Sequence, residues 1–192
     1  MKEFEAKFTG FTLESARELL DSHGYTCASP EILMTRKAFH VEGNKNKWAR
    51  VRDEGNQITL TIKEIVKDND LSGVNEAEVI INNFDEGVKV LEMSGFYGVA
   101  FQETKREIWH KDSIEVMIDT WPGLTPFIEV EGPSEQSVIS ACKELNLNME
   151  EALFGGVDTV YTKQVGITAE MINNLDVLTF EKPPTLEMFM NS

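Results

Sequence analysis

Near its start the chain reads Lys2-Glu3-Phe4-Glu5-Ala6-Lys7-Phe8. Side chains alternate across a strand, so Glu3, Glu5 and Lys7 share one face and Phe4, Ala6 and Phe8 the other. The pattern recurs along the chain. Thr59, Thr61 and Lys63 alternate with Ile58, Leu60 and Ile62; Glu76 and Glu78 flank Ala77; Glu115 and Asp119 share a face behind Val116 and Ile118; Glu129 and Glu131 flank Val130; Arg50 and Arg52 flank Val51. Clustered carboxylates are the ligands that hard divalent cations such as Mg²⁺ or Mn²⁺ prefer. Guanidinium and ammonium groups suit phosphate oxygens. Brought onto one surface, these residues describe a metal-phosphate site.

The elements that must position them are strands with one apolar and one charged face. A solvated sheet has such alternation, and so does a barrel whose interior is charged and whose outer wall is apolar. No GxxxxGK[ST] loop is present, and Gly55, Gly73 and Gly95 fall in turns, so any phosphate must be held by side chains.

Thr12 caps a helix to about His23, with Leu13, Ala16, Leu19 and Leu20 as its stripe and Gly24 as its stop. Ile32–His40, Trp48–Arg52 and Gln57–Ile65 read as strands, the last two joined by a turn at residues 53–56. The polar stretch 67–73 reads as a loop. Asn75–Ile81 is again a strand, Asn83 or Asp85 caps a helix to about Ser94, and strands follow at Val99–Trp109, Ser113–Thr120 and Pro126–Glu131. Ser134 opens a helix carrying Val138, Ala141, Cys142 and Leu145. The two halves share one order, strand, helix and three strands, with paired glutamates offset by 73 residues (Glu3 to Glu76). An internal duplication follows from this. The expected fold is α+β: an eight-stranded antiparallel closed β-barrel, or tunnel, with helices packed outside. Residues 159–163 read as a strand or cover. The expected division is a domain over residues 1–165 and a C-terminal tail or strap over 166–192.

The totals narrow the function. A formal net charge of -15 disfavours nucleic acid and anionic membranes as partners, while leaving room for a small anion on a local cationic cluster. No run approaches the roughly 20 apolar residues of a membrane span, and the first residues lack a secretory signal, so a cytoplasmic protein is expected. Cys27 and Cys142 show no metal-ligand spacing, nor do His23, His40 and His110.

In Glu3-Phe4-Glu5-Ala6-Lys7 the chain resembles the CYTH, or triphosphate tunnel metalloenzyme, superfamily, whose signature is ExExK. Arg50-Val51-Arg52, Thr61-Ile62-Lys63, Glu76-Ala77-Glu78, Lys105-Arg106, Ile118-Asp119, Pro122-Gly123-Leu124 and the run from Phe127 to Glu131 extend the resemblance in family order over residues 1 to 165. That superfamily includes class IV adenylyl cyclases, thiamine triphosphatases and inorganic triphosphatases. The resemblance implies a tunnel that binds a linear triphosphate and needs Mg²⁺ or Mn²⁺. By position, Glu3, Glu5, Glu129 and Glu131 look like metal ligands, and Lys7, Arg50, Arg52, Lys63, Lys105 and Arg106 like triphosphate binders. Lys7, Lys63 and Glu129 look catalytic, and Glu76, Glu78 and Asp119 complete the lining.

Departures are visible as well: Thr104 stands where the family often has lysine, and Thr35–His40 lacks the acidic and tyrosine residues often found there. The implied activity is triphosphate hydrolysis. A cyclase making cyclic AMP and pyrophosphate, and a non-catalytic nucleotide or polyphosphate binder, share the same lining. A homodimer, and a protein partner at the apolar tail, stay open.

Overall fold

The structure, a computed structural model, describes residues 2–66 and 74–190, giving the backbone alone for Lys2, Glu3, Val74, Val99 and Met190. The expected loop at 67–73 and the side chain of Glu3 lie outside what is described.

The chain begins with β1 (Lys2–Phe8), α1 (Leu13–Ser22), β2 (Thr26–Val41), β3 (Asn44–Asp53) and β4 (Ile58–Ile65). It repeats that order as β5 (Val74–Ile81), α2 (Phe84–Met93), β6 (Phe96–Lys111), β7 (Ile114–Thr120) and β8 (Phe127–Gly132). α3 (Glu135–Glu144), α4 (Asp158–Val165), α5 (Ala169–Asn173), the short β9 (Val177–Leu178) and α6 (Leu186–Met190) follow. The helix starts obey local chemistry. Thr12 and Ser134 each accept from the backbone N–H three residues on, the reciprocal half of each capping box coming from Ser15 and Ser137, and Asn83 caps α2. Residues 159–163, expected as a strand or cover, are helical within α4 and pack over Trp121 and Phe127 as a cover. The β-branched run there favours a strand, but burial of Val160 and Tyr161 against Trp121 and Phe127 overrides that propensity.

The eight long strands form one curled antiparallel sheet. The neighbours run β2-β3-β4-β5-β1-β8-β7-β6, and β6 also pairs with β2 over most of both strands. The expectation of a wall closed all the way round is corrected at one seam. Among the described residues β1 and β5 pair at Lys2↔Asn75 and Glu3↔Val74, after which β5 runs on without β1, and the sheet is a half-barrel open along that gap. Val79 and Ile80 beyond the ladder are well exposed. β9 adds to β6 in parallel through Phe101 and Gln102.

Three apolar clusters fix this curl. The outer faces of β1, β7 and β8 (Ala6, Phe8, Val116, Ile118, Ile128, Val130) bury Ala16 and Leu20 of α1 and Val138, Ala141 and Cys142 of α3. On the other side Ala49 and Val51 of β3 pack with Phe39 of β2 and Leu91 of α2. The third cluster joins Trp121, Leu124 and Phe127 to Val160, Tyr161, Ile167, Ile172 and Leu178, so the segment past residue 165 contributes fully buried side chains. Each deeply buried leucine or isoleucine contributes roughly 1.5–3 kcal/mol. With the apolar residues committed outward, strand alternation turns the charged ones inward.

Candidate functional site

The inward faces enclose a cavity of about 1630 Å³. Strand register orders its lining into two walls. On β2, β3 and β4 stand Arg36, Arg50, Arg52 and Lys63; Arg36 lies directly across from Arg52. On β1, β8 and β7 stand Glu5, Glu129, Glu131, Asp119 and Glu115; Glu131 lies between Glu5 and Glu115, and Lys7 lies opposite Glu129.

Ion pairs mark the borders. Buried Lys7 donates to Glu5 at 2.5 Å and lies 3.5 Å from Glu129. Arg106 grips Asp119 with two bonds of 2.6 Å and reaches Glu129 at 3.2 Å. Lys63 meets Glu76 at 2.8 Å, and Arg50 meets Glu78 at 3.6 Å, with the Thr61 hydroxyl donating to Glu78 at 2.6 Å. Arg52 pairs with Glu54 from the β3–β4 turn.

The walls remain electrostatically unbalanced. Burial and the neighbouring Arg50, Arg52 and Arg106 hold the Arg36 guanidinium well below its ordinary range, and burial with Arg50 and Arg106 pulls Arg52 down to about 10. Crowded cations of this kind favour an incoming anion. Across the cavity, burial, Glu129, Glu5 and Glu115 push Glu131 up to about 7, and burial raises Glu5 despite Lys7. Glu129 is buried too, but Lys7 and Arg106 outweigh that and hold it well below the usual carboxylate range. Cations crowd one wall and carboxylates crowd the other, and the ion pairs offset only part of each excess.

Of the residues singled out from sequence, Glu5, Lys7, Arg50, Arg52, Lys63, Glu76, Glu78, Arg106, Asp119, Glu129 and Glu131 border this cavity. Lys105 does not. Alternation that turns Arg106 inward sends Lys105 outward, where it lies 3.5 Å from Glu31 and over the Phe180 ring. Among the described residues no three carboxylate, histidine or cysteine side chains converge tightly enough to hold an ion as placed.

Arg36, Gln102, Trp121 and Asp158 went unmarked in the sequence reading. Arg36 stacks on Trp121, 4.2 Å from the ring centroid, and donates to Gln102 at 2.8 Å. Its two-residue spacing from Ala38 and His40 was the available signal. Asp158 reaches the cavity from the first turn of α4, and burial raises its pKa; it lies just before the segment expected as a strand or cover, and nothing pointed to it.

No curated protein matches the chain closely enough to count as a relative. In fold it is similar to a conserved hypothetical protein of Pyrococcus furiosus, at 24% identity over 79% of this chain and 94% of that one, with a TM-score of 0.67. The PH1819 protein of Pyrococcus horikoshii OT3 is similar at 20% identity over 84% and 98%, TM-score 0.68. A candidate adenylate cyclase of Vibrio parahaemolyticus is similar at 10% identity over 84% and 98%, also at 0.68. The family model of the CYTH domain matches residues 37–158, well over half of the sequence and most of the strands that build the two charged walls, and the chain belongs to the CYTH domain family.

Proposed function

We propose that the protein is a divalent-metal-dependent phosphohydrolase that takes a linear triphosphate into this cavity. The observation that carries the reading is the pairing of a cation-crowded wall on β2, β3 and β4 with a carboxylate-crowded wall on β1, β8 and β7 around one cavity. In this reading Arg36, Arg50, Arg52 and Arg106 take non-bridging phosphate oxygens, for which a guanidinium offers paired donors. Lys7 and Lys63 act as point charges beside the phosphoryl group being transferred, where negative charge must be offset in the transition state. Closure of the β1–β5 seam around a loaded triphosphate, giving a full tunnel, belongs to the same reading and is supported by the ladder at Lys2 and Glu3.

The donor chemistry fits a hard cation. Glu5 and Glu131 are carboxylates whose shared burial disfavours their charge, and a divalent ion would relieve this. Glu3, Glu5, Glu129 and Glu131 would hold it. When bound, such an ion polarises a phosphoryl oxygen and lowers the pKa of a coordinated water. The chain's own part is orientation: Glu129 stays anionic between Lys7 and Arg106, and Asp119 fixes the Arg106 plane.

The test is product analysis with Mg²⁺ or Mn²⁺ and ATP, thiamine triphosphate or tripolyphosphate. Orthophosphate release, abolished in Glu5→Gln and Lys63→Ala proteins that still fold, is the expected result. Cyclic AMP with pyrophosphate would make the protein a cyclase with the same lining, and tight binding without turnover would make it a sensor. Undiminished turnover in both variants would refute the assignment of these residues.

A further inference from the structure

Arg36 is held differently from the other cations of the two walls. Lys7, Arg50, Arg52, Lys63 and Arg106 each touch a carboxylate. Arg36 is fixed by two uncharged groups: its Nε donates to the Gln102 side-chain oxygen at 2.8 Å, and its Cζ lies 4.2 Å from the centroid of the Trp121 ring. Among the described residues no carboxylate is in contact with it. An amide and an indole orient a guanidinium without neutralising it. With Nε given to Gln102, the four N–H groups on the two terminal nitrogens are left for an anion in the cavity. Arg50, Arg52 and Arg106 lie close enough to repel the Arg36 charge, so a long side chain without these two contacts would swing away from them.

Both contacts are backed by chain beyond residue 158, where the family match ends. Gln102 is the register partner of Leu178 in β9. Trp121 shares a buried cluster with Tyr161, Ile172 and Leu178, and it meets the Tyr161 ring edge-on at 6.4 Å and 88°. The Tyr161 hydroxyl donates to the carbonyl of Pro122, the residue after Trp121. A Cβ on Gly123 would come within 3.1 Å of the Pro184 carbonyl oxygen, so the strap presses directly on the same turn. Ile172 and Leu178 are buried and also border the cavity. The C-terminal segment thus touches both groups that orient Arg36.

We propose that Trp121 and Gln102 are positioning residues that aim the Arg36 guanidinium at phosphate oxygens, and that residues 169–178 complete the site by holding both in place. The inference rests on the reading of the arginine wall as the triphosphate site. It gives the segment past residue 165 a part in ligand binding beyond covering the domain.

Calorimetric titration of the full chain with tripolyphosphate in the presence of Mn²⁺ tests this. Trp121→Leu and Gln102→Ala should each weaken binding about tenfold, the loss expected when a charged hydrogen bond is misdirected. Trp121→Phe keeps a ring face against the guanidinium and should retain most of the affinity. In an Arg36→Ala background the Trp121→Leu and Gln102→Ala substitutions should each change affinity less than about twofold, because they act through the guanidinium. Leu178→Ala should likewise weaken binding in the wild type and not in the Arg36→Ala protein. A readout without ligand is the Arg36 Nε–H proton resonance, identified by its absence in Arg36→Ala. Protected from exchange, it should be visible near neutral pH in the wild type and lost in Trp121→Leu and Gln102→Ala. Equal losses of affinity in both backgrounds, or a resonance that survives both substitutions, would overturn the positioning role and leave the triphosphate reading standing. Unchanged binding in Leu178→Ala would overturn the part given to the C-terminal segment. A wild type that does not bind tripolyphosphate would overturn both the inference and the reading beneath it.

Discussion

Glu131 gives the sharpest test of the carboxylate wall. It is the middle member of a cross-strand row, with Glu5 on one side and Glu115 on the other. Like charges directly opposite on a sheet are destabilising, and burial adds to them, so its pKa rises from an ordinary 4.5 to about 7. An acid whose pKa is raised by folding contributes its stability below 4.5 and loses it as the pH climbs through 7. At about 1.36 kcal/mol per pKa unit, the full cost above pH 7 has a ceiling of about 3 kcal/mol. Glu131→Gln replaces the carboxylate with a neutral group of the same shape and removes that cost. In a chelator-treated sample at pH 8 the variant should therefore melt higher than the wild type. For a chain of this size 1 kcal/mol corresponds to about 2–4 °C, so the gain is capped at roughly 6–12 °C. At pH 4.5 the two proteins should melt together, because Glu131 is then protonated. Adding Mn²⁺ at pH 8 should raise the wild-type melting temperature and raise that of the variant less. Equal melting at pH 8 without metal would refute the crowding argument. A gain of the same size at both pH values would show that the effect comes from packing and has nothing to do with charge.

Other perturbations follow from the same geometry. Arg36→Ala removes one of the crowded guanidinium groups, so triphosphate binding should weaken at least tenfold by titration, in line with the roughly 1.5–3 kcal/mol of a charged hydrogen bond, while the ligand-free protein melts no lower than before. Gly87→Ala would place a methyl 2.4 Å from Ile81 Cδ1 and 3.3 Å from Val51; overpacking of this kind costs about 1–3 kcal/mol, which should appear as a lower melting temperature with unchanged turnover. Tyr161→Phe deletes a buried hydroxyl that donates to the Pro122 carbonyl at 2.6 Å; the orphaned carbonyl should cost about 1–3 kcal/mol in chemical denaturation, loosening the contact between α4 and the turn after β7.

Much of the architecture was legible because local rules and tertiary structure agree. Thr12, Asn83 and Ser134 cap the helices that the apolar stripes announce, and the strand-helix-strand-strand-strand order repeats as the paired glutamates suggested. The inward placement of Glu5, Lys63 and Glu129 follows from period-two alternation alone. What alternation does not carry is the match between distant strands. That β1 and β5 pair, among the described residues, at Lys2↔Asn75 and Glu3↔Val74 is a matter of tilt and register, and no motif reports it. Arg36 was hidden for a related reason: it gains meaning only beside Arg52 and over Trp121, which come from other strands and a turn. In α4 the conflict was between a β-branched sequence and a burial pattern that its own residues do not determine.

The separation of charge between the two walls has an energetic consequence. Lys7 and Arg106 stand at the border and already neutralise part of the acidic wall through Glu5, Glu129 and Asp119. A divalent ion arriving alone must displace those contacts, and a triphosphate arriving alone enters a chain of formal charge -15. In the proposed reading Glu5, Glu129 and Glu131 would hold an ion that arrives with the triphosphate, leaving Lys7 and Arg106 to the phosphate oxygens. Each ligand removes a cost the other would otherwise meet, and linkage requires this benefit to be mutual. Coupling of this type is typically 1–3 kcal/mol, or about 5- to 150-fold in affinity. Tripolyphosphate should therefore tighten Mn²⁺ binding by the same factor by which Mn²⁺ tightens tripolyphosphate, after correction for the complex the two form in solution. Glu131→Gln should shrink both factors together. Independent binding of the two ligands in the wild type would mean that the acidic and basic walls do not serve a single complex.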